Sequence, residues 1–369
     1  MIRQQDILCI STQDWNDLWT RKHRFMRRLA GQGNKVLYIE AAASLVSLNL
    51  IRNDPGRIFR WIKGPRRIED NLYVATLPLL LPFFQMFAFI NNINSRGVTL
   101  LLKYWARRLN LRNFILWTYT PFSYNIAKRL SEAFTIYECV DEFSDSKGLV
   151  KPDVVKRMEE RLLKKSDLVI VTHENLLRSK ISLNKDIHVI SNGAEVEHFK
   201  KVLLAQTTVP WEMLSIPKPI IGFLGSVQYW LDFDLMRDIA VRRPGWSLVL
   251  LGPVGRLARI KKISGLPNVY LLGKKNYETL PAYIKAWDVC INPYILNKTA
   301  ENCSPLKLYE YLATGKPIVS VDMPEARKFS ELIAIAKDKD DFLSQLDKVI
   351  AGLPEDAVSI QARIDAVKN

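Results

Sequence analysis

The chain has 369 residues, 48% of them apolar and 25% charged, with 53 Lys and Arg against 38 Asp and Glu for a formal net charge of +15. Aliphatic and aromatic residues are too plentiful for a disordered chain, no repeat period runs through it, and at about 100–200 residues per domain the length asks for two domains. The four cysteines (Cys9, Cys139, Cys290 and Cys303) lie far apart with no CxxC pair. They do not have the spacing of a zinc site or a disulfide framework, and three of them sit in apolar runs as buried reduced thiols would. Residues 1–6 run straight into a strand-like segment, which argues against a secretory leader and for a reducing cytoplasm.

In chain order, short apolar runs at 7–10, 36–39, 72–76, 114–117, 135–139, 168–172 and 187–190 read as strands, with helical patterns at 22–31, 124–132 and 154–165 between them. The second half repeats the style with runs at 220–224, 247–251, 269–272, 289–292 and 318–321, and the stretch after Asp338 reads as helical. Continuous apolar runs separated by helices indicate parallel strands buried on both faces. The expectation is an α/β chain of two Rossmann-like doubly wound domains, residues 1–203 and 204–369, with the proline-bearing stretch 202–219 as linker. Ligands of such sheets bind at the carboxyl ends of the strands, so two such domains facing each other would line one cleft. No GxGxxG follows the first strand, where Ile10-Ser11-Thr12-Gln13 stands, which argues against a nicotinamide dehydrogenase.

The excess positive charge falls in clusters at 21–28, 57–67, 103–112, 151–165 and 237–262. No nucleic-acid-binding signature accompanies them, so no nucleic acid partner is expected. A solvated surface and an anionic membrane surface both fit. Residues 77–90 (LPLLLPFFQMFAFI) bear on that choice. The run is shorter than the roughly 20 residues a spanning helix needs, and Pro78 and Pro82 would break it. It either dips into a bilayer surface or is a buried loop and helix start packed in the first core.

The most informative segment is 304–317, SPLKLYEYLATGKP. Ser304 reads as a helix N-cap and Pro305 as the first helical residue. Leu308 and Leu312 make an apolar seam, Gly315 suits a left-handed C-terminal position, and Pro317 forbids continuation. Lys307 is out of place, because a helix dipole disfavours cations in the first turn. An anion bound at that end reverses the argument: Lys307 and the free N–H groups would then hold a phosphate or diphosphate, with Glu310 one turn on able to accept from a ribose diol. The plainer alternative is that Lys307 reaches water and Glu310 pairs with it.

With these residues in view, the chain resembles the group 1, glycogen-synthase-like GT-B glycosyltransferases, in flavour those of bacterial capsule, teichuronic-acid and exopolysaccharide synthesis. Residues 21–40 (RKHRFMRRLAGQGNKVLYIE) resemble the family's first helix and second strand. Residues 166–172 (SDLVIVT) and 189–199 (VISNGAEVEHF) resemble its last N-domain strand and Asn-Gly loop. Residues 221–226 (IGFLGS) resemble the first donor-domain strand, and 268–293 (NVYLLGKKNYETLPAYIKAWDVCINP) the base-binding loop with its helix and strand. The resemblance implies an N-terminal acceptor domain and a C-terminal donor domain. It implies transfer from a UDP- or GDP-sugar to a glycan or lipid-linked acceptor in cell-surface polysaccharide synthesis, with retention and with no metal or other cofactor. The enzyme would be cytoplasmic, on the inner face of the plasma membrane where it is peripheral.

By position, Ser304, Pro305, Leu306 and Lys307 would hold the donor diphosphate, Glu310 the ribose, and backbone from Lys274 to Leu280 the base. Gly225 and Ser226 would approach the phosphates closely. Two departures stand out: Asn302 occupies the place eight residues before Glu310 where the family often has glutamate, and Gln228-Tyr229-Trp230-Leu231-Asp232 replaces the usual Arg and Lys, leaving Lys274 or Arg256 to supply charge. They keep open a nucleotide-sugar-binding subunit without turnover. For catalysis, Asp141 and Glu142 follow a strand (YECVDE) and could orient or deprotonate the acceptor hydroxyl. His173 could meet the donor or be a satisfied loop histidine. Asp14 and Trp15 would bind the acceptor, Trp15 by stacking unless it belongs to the core.

Overall fold

The computed structural model describes residues 2–17, 19–44, 54–143 and 150–368, apart from the side chains of residues 298 and 299. The chain divides into two compact units, Met1–Ser191 and Asn192–Asn369. The first is built on β1 (Asp6–Ile10), β2 (Lys35–Ile39), β3 (Arg66–Glu69), β4 (Leu72–Ala75), β5 (Ile115–Thr118), β6 (Phe134–Cys139), β7 (Leu168–Val171) and β8 (Ile187–Val189). Their order across the sheet is β3-β4-β2-β1-β5-β6-β7-β8. Alternate residues point to opposite faces: Leu8 and Ile10 enter one core, Ile7 and Cys9 the other. Burial on both sides is why these strands are continuous apolar runs. The thiols of Cys9, Cys139 and Cys290 are all buried, and burial pushes that of Cys290 up to about 12.

The second unit holds β9 (Ile220–Leu224), β10 (Ser247–Leu251), β11 (Val269–Gly273), β12 (Val289–Asn292), β13 (Ile318–Val321) and β14 (Ala334–Ala336), in the order β11-β10-β9-β12-β13-β14. Every pairing in it is parallel. Helices Lys339–Ala351 and Ala357–Asp365 follow, as expected of the stretch after Asp338.

Four local readings are corrected. β3 is an added strand, antiparallel to β4; its sequence RRIE lacks an apolar run because an edge strand can carry charge on both sides. Residues 124–132 are not an α-helix. A short 3-10 helix, Pro121–Asn125, precedes turns in which Lys128 and Ser131 have φ of 66° and 64°. The Glu132 carboxylate accepts the backbone N–H groups of Lys128 and Leu130 that a helix would have used. The units divide after Ser191, ahead of residue 203, because the segment that follows already belongs to the second core, with Phe199 and Val202 buried in it. The apolar run 77–90 is split: Leu77, Leu80 and Phe84 enter the first core, while Leu81, Phe83, Phe87 and Phe89 stay exposed and lead into the helix Ala88–Arg108. Among the described residues no helix is long and apolar enough to cross a membrane.

Candidate functional site

In the second unit, the helix Leu306–Thr314 places its N-terminus over the end of β9. Tyr311 does the anchoring. Its buried hydroxyl accepts from Leu224 N at 2.6 Å and donates to Leu224 O at 3.3 Å. Lys307 then runs along Gly225, where an added Cβ would lie 3.5 Å from Lys307 Cε and Cγ. Gly225 has φ +148° and Gly252, at the end of β10, φ +151°. The two loops touch backbone to backbone, for a Cβ on Gly252 would stand 1.9 Å from Gly225 O. The contact continues through Val227 N to Pro253 O at 2.9 Å and Gly255 N to Val227 O at 2.8 Å. Ser226 Oγ accepts from Gln228 Nε2 at 3.0 Å.

The cap of this helix is shifted from the expectation by one residue. Pro305 is the N-cap with no side-chain cap bond, and Leu306 is the first helical residue. Ser304 Oγ, freed from capping, is buried with no hydrogen-bond partner, although Ser304 O accepts from Asn192 Nδ2. A buried hydroxyl left unpaired costs about 1–3 kcal/mol. Lys307 Nζ lies 2.6 Å from Glu310 Oε2, and Glu310 is fully buried. The pairing the plainer alternative required is therefore present, and it sits at the same helix end as the unpartnered hydroxyl. Gly315 closes the helix at φ +72°.

The remaining donor candidates stand apart from this group. Lys274 is exposed just beyond β11, two strands and about 10 Å from β9. Leu280 is buried at the start of the helix Leu280–Lys285. Between them Tyr277 stacks on His198 at 4.3 Å and 15°, with its hydroxyl donating to Glu195 Oε2 at 2.7 Å. Asn302 is half-buried after the turn of helix Lys298–Glu301.

In the first unit, Asp141 follows β6 together with Glu142. Asp141 is exposed. Glu142 Oε2 is 3.0 Å from Lys180 Nζ, which also meets Glu159 Oε2 at 3.0 Å. Burial works against the Lys180 charge, yet Cys139, Glu159 and Glu142 together hold its pKa above the ordinary lysine value. His173 caps the helix Glu174–Lys180, its Nδ1 accepting from Asn175 N at 3.1 Å. Asp14 pairs with the buried Arg57. Trp15, 5% exposed, packs edge-on against Tyr38 at 5.1 Å and donates from its backbone to Glu40 Oε1 at 3.1 Å. Its ring belongs to the core, without an open face for a sugar.

Three residues here escaped sequence reasoning: Arg21, Lys22 and Glu138. Arg21 Nε meets Glu138 Oε1 at 2.6 Å, and Trp117 Nε1 donates to Glu138 Oε2 at 2.7 Å. Lys22 Nζ donates to Thr12 Oγ1 and lies 5.4 Å over the Tyr119 ring. Burial lowers the Lys22 pKa, with Asp141 and Glu138 opposing. The signal was the one that singled out Lys307: cations in a first turn that holds no acid, against the helix dipole.

This architecture defines a class. The chain is similar in fold, over nearly its whole length, to several solved structures: α,α-trehalose-phosphate synthase (UDP-forming) from Burkholderia vietnamiensis (TM-score 0.66, 12% identity, 98% of this chain and 94% of that one), an E. coli trehalose-6-phosphate structure with bound UDP-2-fluoro glucose (0.67, 13%, 98% and 95%), and Anabaena Alr3699/HepE in complex with UDP and glucose (0.64, 12%, 98% and 94%). The fold is GT-B. Residues 218–351, within the second unit, match the family described as Glycosyl transferases group 1. In sequence the chain is similar to a Bacillus subtilis (strain 168) protein named for teichuronic acid biosynthesis, the glycosyltransferase TuaH, at 26% identity over 211 residues, 53% of this chain. The match spans about half (52%) of that relative's length.

Proposed function

We propose that this chain is a glycosyltransferase that moves a sugar from a UDP- or GDP-linked donor to a glycan or lipid-linked acceptor in cell-surface polysaccharide synthesis, with retention and without a resident metal or cofactor. The observation that carries the reading is the unpartnered Ser304 Oγ beside Lys307 at the start of Leu306–Thr314. A diphosphate there satisfies the hydroxyl, takes the helix N–H groups and recruits the lysine. As the bond from C1 to the donor oxygen breaks, the diphosphate leaves with the electron pair, and these groups neutralise its charge. The acceptor oxygen bonds to C1, and its proton passes to a carboxylate, for which Asp141 and Glu142 are the candidates, with Asp14 on the acceptor side. Ribose hydroxyls compete for Glu310, and the backbone from Lys274 to Leu280 takes the base.

Calorimetric titration of UDP, GDP and their sugars tests this. Saturable binding of one nucleotide is expected, weakened about 10- to 100-fold in Lys307→Ala and Glu310→Ala, the value of one or two charge-assisted hydrogen bonds. No binding by any nucleotide overturns the proposal. Nucleotide-sugar binding without transfer or donor hydrolysis would favour the non-catalytic subunit that Asn302 suggests.

The proposed location is the cytoplasmic face of the plasma membrane. The helix Ala88–Arg108 supports it with an outward stripe in which Phe89 (63% exposed), Leu100 (71%) and Tyr104 (57%) alternate with Arg96, Lys103 and Arg107. Apolar anchors among cations suit an anionic bilayer surface. Phe89→Ser combined with Leu100→Ser is expected to weaken binding to phosphatidylglycerol vesicles at least 30-fold, since each lost anchor is worth roughly 2 kcal/mol. Co-sedimentation equal to wild type would refute this location.

A further inference from the structure

The inner face of that same helix borders a cavity of about 320 Å³ within the first unit. The cavity opens at the carboxyl ends of β1 and β2, and Ile10, Leu77, Phe84, Val98, Leu102 and Ile126 are among the apolar residues of its wall. Polar residues also reach it, and several of them are already matched. Asn94 Oδ1 accepts from Leu81 N at 2.9 Å, and Asn94 Nδ2 donates to Leu81 O at 3.1 Å. Asn91 Nδ2 donates to Phe122 O at 3.0 Å, and Ser123 Oγ to Thr120 O at 2.7 Å. Glu40 accepts from Trp15 N and from the Thr76 hydroxyl. With these groups already matched, mostly to backbone, the wall keeps few free partners for water or a sugar, both of which need several, and the rest of it is apolar.

We infer that this cavity seats the hydrocarbon end of the acceptor, an acyl or isoprenoid segment of about ten carbons. The inference rests on the transferase reading above and decides its acceptor class in favour of the lipid-linked one. An engineered cavity of about 150 Å³ holds one benzene ring, so about 320 Å³ sets a ceiling of roughly twelve carbons, and a bulkier saturated chain of about ten fits below it. Two placements support the assignment. Phe143, the residue after Glu142, forms part of the wall, so the cavity borders the segment that carries Asp141 and Glu142. The segment that supplies Leu77, Leu80 and Phe84 to the wall also leaves Leu81, Phe83 and Phe87 exposed, giving the hydrocarbon an apolar lip to cross from a bilayer.

Alkyl β-glucosides from hexyl to tetradecyl, titrated calorimetrically below their critical micelle concentrations, test the inference on the intact protein. Affinity is expected to rise about fourfold per methylene and to level off near ten carbons, where the cavity is full. Ala42→Trp, at the exposed rim, and Ser95→Leu, on the inner wall, are each expected to weaken decyl glucoside at least tenfold while UDP binding stays as in wild type. Either variant suffices if the other fails to fold. No dependence on chain length, or a rise that continues past twelve carbons as on an open surface, overturns the inference while leaving the donor site standing. Chain-length dependence with a plateau but no nucleotide binding would keep the cavity assignment and overturn the transferase reading instead.

Discussion

Glu138→Ala is expected to cost the first unit about 3–5 kcal/mol, the range for removing one partner of a buried ion pair, and to appear as a lower urea midpoint with an unchanged slope. Glu138 is completely buried in β6, and Arg21, also buried, gives it a 2.6 Å contact. Without the carboxylate the guanidinium is stranded, although Arg21 Nη1 keeps its bond to Ile190 O at 2.9 Å. Trp117 Nε1 loses its acceptor as well. Glu138→Gln retains that acceptor and the shape, so it should fall between wild type and alanine. The double variant Glu138→Leu, Arg21→Leu should recover much of the loss, because deleting both charges removes the desolvation penalty with the attraction. A loss under 1 kcal/mol in Glu138→Ala would show that the pair contributes nothing net. The functional consequence follows along the helix. Arg21 precedes Lys22, so releasing Arg21 loosens a cation that faces the proposed acceptor side, and the transfer proposed above should fall in Glu138→Gln even where the fold survives.

Gly252→Ala should be the most damaging single-methyl addition around the proposed nucleotide site. The new Cβ meets a carbonyl oxygen, Gly225 O, at 1.9 Å. A backbone atom has no rotamer to escape into, so the loops after β9 and β10 must separate. The φ of +151° adds strain of order 1–3 kcal/mol for any side chain. The expected result is a stability loss of about 3 kcal/mol or more, at the upper end for overpacking, together with loss of nucleotide binding in calorimetry. Gly273→Ala is the control. Its φ is +66° and nothing lies within 4 Å of the added Cβ, so only the left-handed penalty of about 1–2 kcal/mol applies. Equal effects at the two glycines would refute the argument from contact.

The strands were legible because their physics is written locally: a strand buried on both faces must be apolar at every position, as in Ile7–Ile10. β3 escaped because an edge strand is released from that rule. The helix Ala88–Arg108 was legible only at its start. Its inward stripe begins with Asn91, Asn94 and Ser95, polar residues whose partners, such as Leu81 and Phe122, are contributed by other segments and are invisible to periodicity. The same limit applies at the site. Lys307 and Glu310 were found because helix punctuation and a misplaced cation lie within a few residues of one another. The cap was misplaced by one because the backbone chose Pro305, leaving Ser304 buried, a tertiary outcome. Trp15 looked like a stacking platform in a loop; the packing of Tyr38, His23 and Trp19 around it comes from other segments.

The place of β1 in its sheet governs the order in which the first unit can be completed. β1 pairs with β2 on one side and with β5 on the other, Ile7 facing Ile115. The strand synthesised first thus acquires its second neighbour only after roughly a hundred further residues, about 5–20 s of ribosomal elongation. During that interval one flank of a strand that is apolar from Ile7 to Ile10 has no partner of its own. The nascent chain is then at its most adhesive, and a chaperone or a bilayer beside the ribosome has its best opportunity to engage it.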